Sequence, residues 1–218
     1  MPLVLCAEIQ SIVPLDLKAI PIMQITFNFD AKKTLQVVAF FLKHNSAGID
    51  KAKLMKLVYR ADRASFIERG FPITGDAPYA MKLGPVPTDT LHLIDGEFYP
   101  IFGKIYDHIS LMNVRVNLVK DPGEDLLSEE EKAFLESVWK AHGHKPTLKV
   151  CYETHDLPEY RETFVEGTST RIPYELIAQH SGNPERYRKG RPVISPEMAQ
   201  AMRSPFPPER DLVRQSQA

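Results

Sequence analysis

Residues 53–70 read KLMKLVYRADRASFIERG, and residues 71–87 read FPITGDAPYAMKLGPVP. The first half repeats apolar side chains at helical spacing: Leu54, Leu57, Val58 and Ala61, flanked by Met55 and Phe66. Asp50 stands where an N-cap belongs, and Gly70 where a left-handed residue ends a helix. The spacing therefore predicts one helix over 51–69. Its other face carries Lys53, Lys56, Arg60, Arg63 and Glu68. The second half cannot prolong that helix, because Pro72, Gly75, Pro78, Gly84, Pro85 and Pro87 interrupt it. Tyr79 to Leu83 are expected to form a short strand, and Thr88 to Asp95 a short helix stopped by Gly96.

Upstream, Asp30 caps a helix reaching about Asn45, with Leu35, Val38, Ala39 and Leu42 on its apolar side. Gly48 breaks it. Two helices joined by so short a turn resemble a helix-turn-helix. The second helix is too long for that role, and Asp62 and Glu68 interrupt its basic face, so a helical hairpin inside a core is the better reading. Downstream, residues 105–119 are rich in β-branched side chains, with Val114, Val116 and Leu118 in alternation, and read as one or two strands. Asp121-Pro122-Gly123 is a turn. Ser128 and Glu131 form a capping box for a helix to about Ala141, with Phe134, Leu135 and Val138 inward, Trp139 in the same core and Gly143 at the end. Further helices are expected near Thr147 to Thr154, Tyr160 to Phe164 and Pro173 to His180, the last with Pro173 at its first position.

The 218 residues carry a formal net charge of −1, with 43% hydrophobic and 25% charged side chains. This is the composition of an ordinary soluble globular chain, and it has no global electrostatic footprint for nucleic acid. The two cysteines, Cys6 and Cys151, are too few for a disulfide framework and fit a reducing cytoplasm. No run approaches the ~18–20 apolar residues a membrane-spanning helix needs. Residues 1–26 are apolar but lack a leading basic stretch, and Glu8, Pro14, Asp16 and Pro21 interrupt them, which argues against a secretory signal. Met23 is an alternative translation start for this extension. Residues 182–218 hold six prolines and seven basic against four acidic side chains, and read as a mostly disordered tail. Within it, Arg186, Arg188, Lys189 and Arg191 suit an acidic partner surface.

Recognisable chemistry is sparse. His142, His144, Cys151 and His155 lie close together, but their spacing is no established zinc pattern, and no metal is expected. Gly75 and Gly84 belong to no phosphate-binding fingerprint, no nucleophile elbow is present, and no cofactor is expected. Arg60, Asp62 and Arg63 share one helical turn. They read as an ion-paired framework, with Asp62 held by an arginine or Lys82 or capping amides after Gly70; the alternative is a partner contact. An enzyme would be a small hydrolase drawing on Asp62, His155 and Lys82, provided these converge in one pocket.

Three segments occur in order: Lys53-Leu54, Lys56-Leu57, Tyr59 and Ala61-Asp62; then Pro72 to Asp76; then Ala80-Met81-Lys82-Leu83-Gly84-Pro85-Val86. Ser128 to Trp139 follows, then Thr154-His155 and Tyr160. This pattern resembles the Panacea domain, the family of SocA-like antitoxins found beside toxin genes in bacteria and phages, over about residues 27–181. Leu83 stands where the family usually has an aromatic, and Tyr160 where a tryptophan is more typical. The resemblance implies a compact α+β domain, mainly α-helical, with a small β-sheet or hairpin. It also implies a non-enzymatic antitoxin that binds a cognate toxin encoded by the adjacent gene, with a cellular protease as a further partner in some similar proteins. A DNA-binding, autoregulatory role is the other alternative. Leu54, Leu57, Tyr59, Asp62, Gly75, Gly84, Pro85, Val86 and His155 are carried over as framework. Arg60, Arg63, Tyr79 and Lys82 join the tail arginines as partner-contact candidates.

Overall fold

The computed structural model describes residues 25–97 and 107–182. The proposed N-terminal extension and basic tail, with Arg186, Arg188, Lys189 and Arg191, lie outside them apart from their innermost residues.

Helix α1 (Ala31–Lys43) begins where Asp30 accepts a hydrogen bond from the Lys33 amide. Strand β1 (Ile49–Asp50) leads into α2 (Lys51–Arg69), capped by Asp50 and ended by left-handed Gly70 as its sequence predicts. Strands β2 (Pro78–Met81) and β3 (Gly84–Pro87) form a hairpin and run into α3 (Thr88–Asp95). A second hairpin, β4 (Ile109–Met112) and β5 (Arg115–Leu118), precedes α4 (Glu129–Val138), whose capping box is formed as expected. Then come α5 (Thr147–His155), α6 (Pro158–Thr163), β6 (Thr170–Arg171) and α7 (Tyr174–Gln179). The strands make two antiparallel sheets of three, ordered β1-β5-β4 and β3-β2-β6. The protein is thus α+β and mainly helical.

Helix α2 is the axis of the fold. Leu54, Met55, Leu57, Val58, Tyr59, Ala61 and Phe66 are all buried along it. It packs against α1, α4, α5, α7 and β3, so little of it faces water. Two apolar clusters result. The larger joins α1, α2, α3 and the inner faces of β5 and α4; the smaller gathers Phe66, Ala80, Tyr160, Ile172, Tyr174 and Ile177, with Ile25 and Phe27 against it. Each such side chain contributes about 1.5–3 kcal/mol by leaving water.

Several boundaries differ from expectation for physical reasons. The Gly-Pro segment is a strand despite two prolines, because β3 is an edge strand whose proline nitrogens owe nothing to the ladder. Val114 lies in the β4–β5 turn rather than in an alternating strand, next to Asn113 at φ 57°. The helix begun at Ser128 leaves α geometry at Trp139 and ends in a π-type turn, Trp139–Gly143, where Trp139 stacks on His44 at 4.8 Å. Pro173 is the cap residue of α7, not its first residue. The basic face expected of α2 is not one surface. Lys56 is 1% exposed, because β3 and α5 cover the side on which it emerges.

Candidate functional site

A central helix buried on nearly all sides must satisfy its polar side chains internally, and α2 does so at four points. Lys56 Nζ donates to the Pro85 carbonyl at 2.8 Å. Tyr59 OH donates to Glu159 Oε1 at 2.8 Å, and Arg63 grips the same carboxylate with Nε at 2.6 Å and Nη2 at 3.2 Å. Asp62 accepts from the Ile73 amide at 2.9 Å, the Thr74 amide at 3.0 Å and the Thr74 hydroxyl. Arg69 donates to Ser65 and to Glu131, which Lys33 also reaches at 2.7 Å.

A second buried carboxylate repeats the device. Asp76 accepts from the Asp89 amide at 3.1 Å and from the Thr90 amide and hydroxyl, each at 2.7 Å. Pro87 precedes α3 and offers no capping side chain, so Asp76 caps that helix from a distance. Its own carbonyl accepts the Tyr174 hydroxyl at 2.8 Å. Asp62 and Asp76 thus convert the loop after Gly70 into a fixed bridge between α2 and α3. Gly75 makes the bridge possible: it sits at φ 75°, and a Cβ there would lie 2.0 Å from the Asn28 carbonyl oxygen.

Burial sets the protonation behaviour of this frame. It pushes the Asp62 carboxyl up to about 6, against the pull of three donors. Asp76 is raised well above the carboxylate range by burial and by the neighbouring Asp89 charge. Burial also raises Glu159, but its hydrogen bonds and the Arg63 charge outweigh that, and it ends below its ordinary value. Lys56 is drawn down to about 8 by burial. Its folded pKa lies below the unfolded one, so the cost of burying the ammonium is fully present below pH 8 and disappears as pH rises to 10.5. The stability difference between wild type and Lys56→Met should therefore shift towards wild type by about 3 kcal/mol between pH 7 and 10.5, read by urea unfolding. A pH-independent difference would refute this account of Lys56.

Outside this frame, the β2–β3 turn meets the outer face of α5. His155 stacks on Tyr160 at 4.8 Å and meets Tyr152 edge-on at 5.6 Å. Tyr160 stacks on Phe164 at 5.2 Å and donates its hydroxyl to the Met81 carbonyl at 2.9 Å. Tyr160 therefore ties the turn to α6. Leu83, standing where an aromatic is expected, is exposed beside Lys82.

The structure distributes the residues singled out in the sequence. Asp62 caps amides after Gly70, the second of the alternatives raised, and is held by neither an arginine nor Lys82. Leu54, Leu57 and Val86 are core, and Pro85 supplies the carbonyl for Lys56. Arg63 is held by buried Glu159; Arg60 reaches Glu153 at 3.9 Å, and its side chain is 16% exposed. Tyr79 is half-buried in β2, opposite Val86 and Arg171, whereas Lys82 stands in water. The hydrolase grouping is not assembled. Asp62 lines a crevice with Tyr59, Arg63, Asp76 and Tyr174, which neither Lys82 nor His155 reaches, and it is too tight for a water molecule. Of the histidine–cysteine group, His142 engages Glu153, Cys151 is buried, and His155 belongs to the ring stack. Among the described residues, no group of three or more such side chains is placed to hold a metal. Sequence reasoning missed Glu159, about a hundred residues from its partners, and the cap made by Asp76, which stands outside the cap position of the helix it serves.

Residues 54–160 match the family described as antitoxin SocA-like, Panacea domain. No curated protein and no solved structure matches the chain. Among the described residues, no helix is long and apolar enough to cross a membrane.

Proposed function

From the Panacea domain of SocA-like antitoxin type that this chain carries over residues 54–160, we propose that it neutralises a cognate toxin by direct, stoichiometric binding. The observation that carries the reading is the family match itself, which runs from α2 to Tyr160 and covers all three motif segments apart from Lys53. The geometry is consistent with it. The motif carboxylates Asp62 and Asp76 accept hydrogen bonds from the protein's own amides and hydroxyls, which makes them parts of a rigid frame. Neutralisation by contact needs a fixed surface rather than a reacting group, and loops held on rigid elements are where such surfaces arise.

Co-expression with the product of the adjacent gene tests the proposal. The neighbour alone should arrest growth; with this chain, growth should recover and the two proteins should co-purify at a fixed ratio. A neighbour that remains toxic, with no complex formed, would overturn the reading.

A further inference from the structure

The exposed apolar side chains among the described residues include two groups of neighbours. One is the tip of the β4–β5 hairpin, with Met112 and Val114. Its arginine, Arg115, donates to the Ala47 and Gly48 carbonyls and is engaged within the fold. The other is formed by Leu83 on the β2–β3 turn and by Leu148 and Tyr152 on α5, 44%, 57% and 58% exposed. Leu148 and Tyr152 are one helical turn apart, so they present a single face. The Tyr152 ring abuts His155, and a Cβ placed on Gly84, next to Leu83, would lie 3.4 Å from that same imidazole. The patch is thus continuous from turn to helix. The Tyr152 ring lies on His155, which stacks on Tyr160 of the core, so the aromatic part of the patch has little side-chain freedom to lose on binding.

Its rim is basic. Lys43, Lys51, Lys132 and Lys145 sit on carboxylates, whereas Lys32, Lys120 and the two lysines next to this patch do not. Lys82 and Lys149, next in sequence to Leu83 and Leu148, form no ion pair among the described residues and are both exposed. The one carboxylate next to His155, Asp156, is paired with Arg161, so an apolar centre with two unpaired cations beside it is complementary to apolar side chains flanked by carboxylates. It is poorly matched to the chain's own residues 183–218, where basic side chains outnumber acidic ones.

We propose that Leu83, Leu148, Tyr152 and His155, rimmed by Lys82 and Lys149, form the face that receives the toxin, through a toxin segment of apolar side chains flanked by carboxylates. The proposal rests on the antitoxin reading and names its surface.

The test uses the full chain with the product of the adjacent gene as probe, reading affinity and growth recovery. Leu148→Glu with Tyr152→Glu should weaken the complex by about 100-fold or more and abolish neutralisation. Lys82→Glu with Lys149→Glu should weaken it about tenfold at low salt, with the gap closing near ~1 M salt, where the Debye length is ~3 Å. Met112→Glu with Val114→Glu, on the other patch, should leave both readouts unchanged. All these side chains are exposed, and circular dichroism should show folded variants. Tight binding by both the Leu148/Tyr152 and the lysine variants would overturn the surface while leaving the antitoxin reading intact. A wild type that neither binds nor neutralises would overturn both. A chain that is dimeric alone, and made monomeric by Leu148→Glu without loss of toxin binding, would show the face to be a self-contact and overturn the surface.

Discussion

Gly84→Val is expected to remove about 3–5 kcal/mol of stability, a large part of what a domain of this size has. Two independent penalties add. Gly84 sits at φ 102°, a backbone region that L residues rarely adopt and that a β-branched side chain resists most. A Cβ would also lie 2.2 Å from Thr154 Oγ1 and 3.1 Å from Lys56 Cε, both of them buried. Neither neighbour can give way cheaply. Thr154 holds the Cys151 carbonyl through its hydroxyl, and Lys56 is fixed by its bond to Pro85. The variant should unfold at much lower urea with an unchanged slope. Gly84→Ala should be milder, and Gly84→Ala combined with Thr154→Ala milder still, because the second change removes the atom that is met first. If Gly84→Val unfolded at the wild-type midpoint, the close approach of β3 to α5 would not constrain this position.

That contact shows why part of the fold was legible in the sequence and part was not. The limits of α2 follow from Asp50, an apolar repeat and Gly70, all within one stretch of chain, and the structure places them at the same residues. The same holds for α3 and for the capping box of α4. Strands β1 and β6 are two residues each and exist only because β5 and β2 lie beside them, so no local pattern announces them. Lys56 stands with the charged residues opposite the apolar stripe, and charge normally marks the outside of a helix. A helix packed against α1, α4, α5, α7 and β3 has no such side, and the width of its apolar arc, with Met55 and Phe66 beside the main stripe, is the available hint. Glu159 could not be paired with Tyr59 and Arg63 from spacing, since about a hundred residues separate them. The resemblance marked Leu83 and Tyr160 as departures; the structure adds that Tyr160 anchors the turn on which Leu83 is exposed.

Asp62→Ala should be the second large effect, with a pH dependence that distinguishes its cause. Removing the carboxylate leaves the Ile73 amide, the Thr74 amide and the Thr74 hydroxyl, all buried, without their partner. At about 1–3 kcal/mol for each stranded buried donor, partly relieved by loop movement, the loss at pH 7 should be about 3–5 kcal/mol. The loop after Gly70 should loosen first, giving faster amide exchange at Ile73 and Thr74. Burial holds the folded-state carboxyl at about 6, above its ordinary value of 3.8. A raised acid pKa means that the folded protein favours the protonated form. The cost of burying the charge is absent below about 4 and fully present above about 6. The stability gap between wild type and Asp62→Ala should therefore widen, by up to about 3 kcal/mol, as pH falls from 6 to 4. An ordinary salt-bridged aspartate would do the opposite, losing its contribution on acidification. Asp62→Asn keeps one carbonyl oxygen for the two amides and should fall between the two proteins at pH 7. Urea unfolding of the three proteins across pH 4–7 decides the matter: a gap that narrows with acid would mean the three donors outweigh burial and hold Asp62 ionised throughout.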